Sequence, residues 1–287
     1  ISMASPGRDV KLSKDRVTGY RNFITKIWSA NNFLKLNNCK NSKQINVKKI
    51  KLKINQWIYF EFCKTNNLIN KHIQDFRFDE ASKVLYTFVW HSYCDWYIEF
   101  LKPIFNSKNK TSIHEVRQFS SHMLANILKL LHPFIPFFTE YVWRINKFNK
   151  EEKTDLINSN WPMSKKINSH KKSSEEIEKV IDLITAIRST KAQLNISPKE
   201  YCDIFYFKES KNIKKIIDNN IEIIKQIGRV NKIFLKPENN NSIVQIFILK
   251  EKIGLKFETN IDLNSQKNKL VNKLDIKDKK IISLNQK

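Results

Sequence analysis

The first half of the chain consists of long segments in which apolar residues recur at the spacing of an α-helix. At 100° per residue, one side of the first segment carries Val17, Tyr20, Ile24, Ile27, Trp28 and Leu34. Further helices are predicted over about 51–74, from Asp79 to near Pro103, and over about 112–145. Pro133 and Pro136 should kink or split the last of these. We therefore expect a mostly α fold that begins with a bundle of four main helices.

The second half of the chain has a different pattern. Residues 148–173 are polar and nearly aperiodic, which predicts a linker. The amphipathic helix after this stretch has Ser174 as its expected N-cap. Beyond Pro198 come the β-rich runs YCDIFYF, NKIFLK, SIVQIFILK and IGLKFE, with a helix near 209–225 between the first two. This order predicts a small α/β module, followed by a tail whose heptad-like leucines indicate a coiled coil.

The charge of the chain points to an anionic partner. Fifty-two Lys and Arg against 28 Asp and Glu give a net charge of +24, which favours nucleic acid, although a general bias towards lysine stays open. The four cysteines form no CxxC pair, and His91 with Cys94 is interpreted as a partly buried helical pair rather than half a metal site. We therefore expect free thiols, a cytosolic location and no metal. No apolar run approaches the roughly 20 residues that span a membrane.

The first helix carries a stripe opposite its apolar side, formed by Asn22, Lys26, Ser29 and Phe33. Phe33 places an aromatic ring where a polar residue is expected. Two interpretations stay open: another helix or the linker covers this ring, or the ring stacks on a base of a single-stranded loop. Asn22 can hydrogen-bond a base edge, and Lys26 can hold a phosphate.

Basic residues gather at the start of the same helix, namely Lys11, Lys14, Arg16 and Arg21. The unpaired backbone N–H groups there also favour phosphate. An RNA loop is the ligand that fits this combination best.

Other aromatic and acidic residues are interpreted as structural. Trp90, Trp96 and Tyr97 are expected in the core, because an aromatic stripe at helical spacing usually packs in the interior. Asp95 and Glu99 have no convergent His or metal partner in the sequence, so we do not interpret this pair as catalytic.

Three blocks of the sequence resemble successive parts of the valyl-tRNA synthetases, after the class I catalytic domain. They are GRDVKLSKDRVTGYRNFITKIWSANNF, FRFDEASKVLYTFVWHSYCDWYIEFLKP and LLHPFIPFFTEYVW. The resemblance continues through VIDLITAIRSTKAQLNISP, which is similar to the helix opening the following α/β module. It ends at IGLKFETNIDL, which is similar to the approach to a C-terminal coiled-coil arm. It covers nearly the whole chain apart from the predicted linker.

The resemblance implies an organisation in five parts. These are the end of a stem at 1–12, an anticodon-binding helical bundle at 13–147, the linker at 148–173, the α/β module at 174–260 and the start of a truncated coiled-coil arm at 261–287. Because the sequence starts at Ile1, we expect a piece of a longer protein.

The resemblance also implies the activity of that longer protein. Such an enzyme joins valine to its tRNA through valyl-adenylate, made from ATP with magnesium, and acts as a cytoplasmic monomer. We expect the catalytic and editing domains before residue 1. This chain would bind and orient the anticodon stem and loop of valine tRNA, without a catalytic residue, cofactor or metal of its own.

The resemblance places the RNA site at the start and outer face of the first helix. The expected tRNA-binding residues are Lys11, Arg16, Arg21, Asn22, Lys26, Asn31, Phe33 and Lys35. Asp15 is an acid within this basic region. The KLSK run at 11–14 is similar to the lysine loop of the class I catalytic domain, but no Gly-Asn follows it and no HIGH-type motif precedes it. We therefore interpret Lys11 as a phosphate or base contact and Ser13 as a helix cap.

Three alternatives stay open. The same region of an isoleucyl- or leucyl-type synthetase shares this bundle, although FDEASKVLYTFVW with LHPFIPFFTE is more similar to the valine enzymes. A non-enzymatic helical scaffold would bind RNA without preference, with an affinity that falls steeply as salt rises. An autonomous tRNA-binding module encoded alone is the third.

Overall fold

The structure is a computed structural model that describes residues 13–40, 45–163, 170–207, 211–235 and 243–258. The chain divides into two compact units, Ile1–Glu178 and Lys179–Lys287. Lys11, the predicted stem end and the predicted coiled-coil arm lie outside the described residues.

The first unit is helical, as predicted. Its helices are α1 (Lys14–Leu36), α2 (Lys53–Gln74), α3 (Phe78–Thr87), a π-helical segment (Phe88–Tyr97), α4 (Ile98–Phe105), α5 (Lys110–Leu131), α6 (Pro136–Ile145) and α7 (Phe148–Glu151).

Local sequence signals account for several helix ends. Ser13 is the N-cap of α1, as predicted, although its side chain makes no capping hydrogen bond. Pro136 lies in the first turn of α6, where its missing N–H costs nothing, so the predicted split of the fourth helix is confirmed. Pro103 is tolerated within α4, which ends two residues later at Phe105.

The π-helical segment is a feature that the apolar pattern did not predict. In a π-helix the backbone hydrogen bonds join residues i and i+5, and such segments are rare.

Tyr97 at the end of the π-helical segment is fully buried, and its hydroxyl donates to Asn55 Oδ1 (2.9 Å) and lies 3.0 Å from Ser120 Oγ. The Asn55 amide in turn donates to Glu115 Oε1 (2.9 Å), which also accepts from the backbone N–H of Leu52 at the start of α2 (2.9 Å). This network joins α2, the π-helical segment and α5, and it confirms Tyr97 as a core residue.

Part of the stretch predicted as a linker packs against the helical unit. The buried ring of Phe148 meets the Trp143 ring edge to face, with centroids 5.2 Å apart. The Trp143 indole N–H donates to the Thr154 carbonyl (3.2 Å), and the Asn66 amide donates to the Pro162 carbonyl (2.7 Å).

Helix α8 (Lys171–Gln193) includes the boundary between the two units. It begins four residues earlier than an N-cap at Ser174 would require, so the prediction of Ser174 as its N-cap is wrong. The Ser174 side chain is buried in the first turn, with its hydroxyl 3.4 Å from Glu61 Oε1. The buried apolar residues of α8 are Ile177, Val180, Leu183, Ile184 and Ile187.

The second unit is the predicted α/β module. Its strands are β1 (Cys202–Tyr206), β2 (Val230–Leu235), β3 (Ile243–Ile248) and β4 (Glu251–Phe257), with α9 (Lys211–Asn219) and α10 (Ile221–Gly228) between β1 and β2. The sheet order is β2-β1-β4-β3, with β1 parallel to β2 and antiparallel to β4. Strands β3 and β4 form a hairpin whose two turn residues, Leu249 and Lys250, both have positive φ.

Candidate nucleic-acid interface

Helix α1 has a buried face and an exposed face, but both are rotated from the predicted ones. The buried apolar positions are Phe23, Ile27, Ala30 and Leu34, at helical steps of four, three and four, and Asn31 is buried on the same face. The exposed positions along the opposite face include Thr18, Asn22, Thr25, Ser29 and Leu36. The first turns are open on more than one side, because Val17 is 51% exposed and Tyr20 is 36% exposed.

Lys26 lies against the bundle instead of pointing into open solvent. Its ammonium group sits 3.9 Å from the centroid of the Trp90 ring and forms an ion pair with Asp95. Asp95 also has His91 Nδ1 at 3.3 Å from its second oxygen. The prediction that Lys26 occupies an open stripe is therefore wrong, because its charge is already held by a carboxylate and an aromatic ring.

Phe33 is half-buried, and its ring meets the Phe105 ring at a centroid distance of 5.9 Å and an angle of 60°. The interpretation that another helix covers this ring holds in part, because Phe105 belongs to α4. The interpretation that the ring stacks on a base stays a prediction.

Asn31 cannot serve as a surface contact, because its side chain is fully buried. Its Oδ1 accepts a hydrogen bond from the Asn146 amide (2.7 Å), which links α1 to the C-cap residue of α6. The prediction that Asn31 contacts RNA from the helix surface is therefore wrong.

The remaining predicted residues that the structure describes are exposed. They are Arg16, Arg21, Asn22 and Lys35, and Lys14 and Asp15 at the helix start are exposed as well. Within the described part of the chain, Arg21 and Lys35 make no ion pair. At about 1.5 Å per residue, the exposed cations at the two ends of α1 are roughly 20–30 Å apart.

Reasoning from the sequence missed an aromatic cluster that joins α1 to the helix that follows α2. The cluster consists of Tyr20, Phe23, Tyr86 and Trp90. The Tyr86 ring stacks on Phe23 (4.7 Å, 27°) and on Trp90 (5.5 Å, 17°), and Tyr20 meets it edge-on at 6.4 Å. Trp90 is only half-buried, so its prediction as a core residue holds in part. The four-residue spacing of Tyr86 and Trp90 puts both rings on one helix face, and that is the signal that could have indicated the cluster.

The electrostatics of this cluster follow from its burial. Burial raises the pKa of Tyr86, and the neighbouring Tyr20 and Asp95 raise it further. The Tyr86 hydroxyl is therefore protonated at neutral pH and can act as a hydrogen-bond donor.

The cysteines take no part in a reactive site in this structure. All four are free and buried. Burial raises the pKa of Cys39 and Cys94 to about 12 and that of Cys63 and Cys202 to about 11, so the thiolate form is suppressed. Among the described side chains, no group of three or more His, Cys, Asp or Glu is placed to hold a metal ion. No helix in the described ranges is long and apolar enough to cross a membrane.

Comparison with known proteins gives two findings. The model of the family described as the anticodon-binding domain of tRNA ligase matches residues 55–206, which is just over half of the chain. The sequence is 42% identical over 270 residues to the valine–tRNA ligase of Pelagibacter ubique, 34% over 284 residues to that of Rhizobium meliloti and 33% over 269 residues to that of Agrobacterium fabrum.

These matches cover 94%, 98% and 93% of the chain, respectively. The chain spans 30%, 30% and 28% of the length of the same three relatives. The family model begins at residue 55, after α1 ends, whereas the matches to the ligases extend over nearly the whole sequence.

Proposed function

The chain belongs to the family of anticodon-binding domains of tRNA ligases, and from this premise we propose that it binds the anticodon stem and loop of valine tRNA. The observation that carries the proposal is helix α1, which presents exposed cations and a half-exposed aromatic ring beside a domain of this family. The three relatives compared above are all valine–tRNA ligases, which favours valine over isoleucine or leucine.

In this proposal the chain is part of a longer ligase that acts as a cytoplasmic monomer. That ligase would join valine to its tRNA with ATP and magnesium. The support is the similarity to valine–tRNA ligases of more than three times this chain's length. The described part of the chain would supply RNA binding and orientation, while the chemical step would belong to the rest of the enzyme.

Each exposed residue of α1 has a distinct proposed contact. Arg16 and Arg21 would bind backbone phosphates, since a guanidinium presents its N–H donors in a fork that matches a phosphate. Asn22, one position further along, can donate to and accept from a base edge. Phe33 would stack on an anticodon base, and Lys35 in the last turn would hold a further phosphate.

Lys26 has a positioning role in this proposal. Its ion pair with Asp95 and its contact with Trp90 join α1 to the π-helical segment, 69 positions along the chain. The aromatic cluster adds to the same junction, since Phe23 of α1 stacks on Tyr86 of α3. These contacts hold the start of α1 in one orientation, which sets the directions of the Arg16 and Arg21 side chains.

The test is a competition between valine tRNA and the same tRNA with its middle and third anticodon bases changed, at two salt concentrations. We expect the altered tRNA to compete several-fold less well at both concentrations. If both tRNAs compete equally and both lose affinity as salt rises, the chain binds only phosphate, and the proposal of anticodon recognition is wrong.

Substitution of Phe33 tests whether this residue contributes to recognition of the anticodon. Base stacking is worth about 1–3 kcal/mol, so Phe33→Ala should reduce discrimination by about fivefold or more. Phe33→Leu fills much of the space against Phe105 without offering a flat ring, and it should lose discrimination as well. The matched control is Phe137→Ala on α6, where the ring is 91% exposed and should be neutral. Unchanged discrimination in a folded Phe33→Ala variant would remove Phe33 from the site.

A further inference from the structure

A basic cavity lies in the second unit, at the C-terminal end of α8 and beside the turn that joins α10 to β2. Its volume is about 410 Å³, and its lining residues are Arg188, Lys191, Ala192, Pro198, Lys199, Ile227, Gly228 and Arg229. Half of these residues are basic, and none of the described lining residues is acidic. All of its lining residues belong to the second unit, whereas α1 belongs to the first.

Lys191 forms the buried floor of this cavity, with 2% of its surface exposed. Its ammonium group donates to the Glu200 carbonyl at 2.7 Å and approaches the Gly228 carbonyl at 3.5 Å. Burial lowers the pKa of Lys191. The nearby Cys202 and Glu200 oppose this shift, whereas Arg229 and Arg188 add to it. An anion in the cavity would favour the charged form of Lys191.

The arginines stand at the rim and are held by backbone carbonyls. Arg188 is exposed and donates to the Ile227 carbonyl (3.3 Å), and Arg229 donates to the Lys199 carbonyl (3.4 Å). Arg229 follows α10 as its C-cap, with a left-handed φ of 54°, and it lines the cavity. A guanidinium has five N–H donors, so one carbonyl leaves Arg229 able to bind two phosphate oxygens.

We propose that this cavity binds a backbone phosphate of the tRNA. The buried ammonium floor and the two guanidinium groups at the rim match the charge and the acceptor oxygens of a phosphate. The exposed ring of Tyr201 favours RNA over a free phosphate ion, because it lies 5.8 Å from the Arg229 guanidinium and offers a surface for a base or ribose. The identity of the RNA rests on the proposed function, whereas the phosphate chemistry does not.

The test replaces two cations at the rim in the full chain, as the double variant Arg188→Gln, Lys199→Gln. The matched control is Lys215→Gln, Lys232→Gln, which removes the same charge from exposed positions elsewhere in the same unit. Affinity for valine tRNA is measured at several salt concentrations, and circular dichroism checks that both variants are folded. We expect the rim variant to lose affinity by about threefold to tenfold more than the control, and its salt dependence to become shallower.

Binding of the rim variant to both tRNAs distinguishes a failure of this proposal from a failure of the proposed function. A phosphate contact carries no base identity, so the rim variant should lose the same factor for valine tRNA and for the anticodon-altered tRNA. The rim variant should lose this affinity even if the anticodon competition shows no discrimination between the two tRNAs. Conversely, the competition can show discrimination even if the rim variant binds tRNA as well as the control does. Equal affinities of the rim and control variants would overturn the proposal. A second result would also overturn it. If inorganic phosphate raises the thermal stability of the chain only when the rim residues are present, and the rim variant still binds tRNA normally, then the cavity binds a free anion and not the tRNA.

Discussion

The same substitution at two cations of α1 should affect two different properties of the chain. Lys26 and Arg21 lie little more than one turn apart, but Lys26 is held by Asp95 and Trp90, whereas Arg21 is exposed. Methionine removes either charge and keeps most of the aliphatic stem. Lys26→Met should therefore reduce stability, and Arg21→Met should reduce RNA binding.

The magnitude follows from the partial exposure of the Lys26 contacts. Its side chain is 27% exposed and that of Asp95 is 38% exposed, so the ion pair is worth about 0.2–1 kcal/mol. The ammonium group 3.9 Å from the Trp90 centroid adds about 0.5–1 kcal/mol. Lys26→Met should thus lower the free energy of unfolding by about 1–2 kcal/mol, while Arg21→Met should change it by less than about 0.5 kcal/mol.

The assay combines urea unfolding with tRNA binding across a range of salt concentrations. Loss of one phosphate contact lowers the slope of log affinity against log salt by about 0.7–0.9, and we expect this change for Arg21→Met alone. Asp95→Asn serves as a second control, because it should destabilise the chain without changing that slope. If Lys26→Met keeps full stability and lowers the slope as Arg21→Met does, then Lys26 binds phosphate and its positioning role is refuted.

Three further predictions concern the core. Tyr97→Phe removes a buried hydroxyl that donates to Asn55, and it should lower the free energy of unfolding by about 1–3 kcal/mol in urea titrations without a change in circular dichroism. Trp143→Ala should cost about 3–5 kcal/mol because the ring is fully buried, whereas Trp28→Ala should cost clearly less because that ring is half-buried against Tyr141; equal costs in urea unfolding would contradict this order. The buried thiol of Cys94, whose pKa is raised to about 12, should react with a thiol reagent at pH 8 only after unfolding. Because the folded state retains this proton above pH 9 and the unfolded state releases it, the same thiol should make stability fall as pH rises from about 9 to 12.

The sequence by itself determined the type and order of most elements, with the π-helical segment as an exception. The start of α1 at Ser13 and a kink or split of the fourth helix at Pro133 and Pro136 were predicted, and the β-rich runs after Pro198 became the four strands of one sheet. These features could be predicted because capping, the missing N–H of proline and the period of apolar residues act within a few positions along the chain. The family resemblance was likewise carried by contiguous blocks of sequence.

Only the tertiary structure decided which faces are open and which charges meet. The apolar spacing of α1 allowed a face centred near Ile24, but the neighbouring helices buried Phe23 and Asn31. Lys26 finds Asp95 only because the π-helical segment packs beside α1, and Arg229 joins Arg188 only where α10 ends near α8. Helical periodicity leaves the rotation of a helix about its axis uncertain, because several rotations would bury a similar set of apolar residues. The packing against neighbouring helices selects the rotation that buries the most apolar surface.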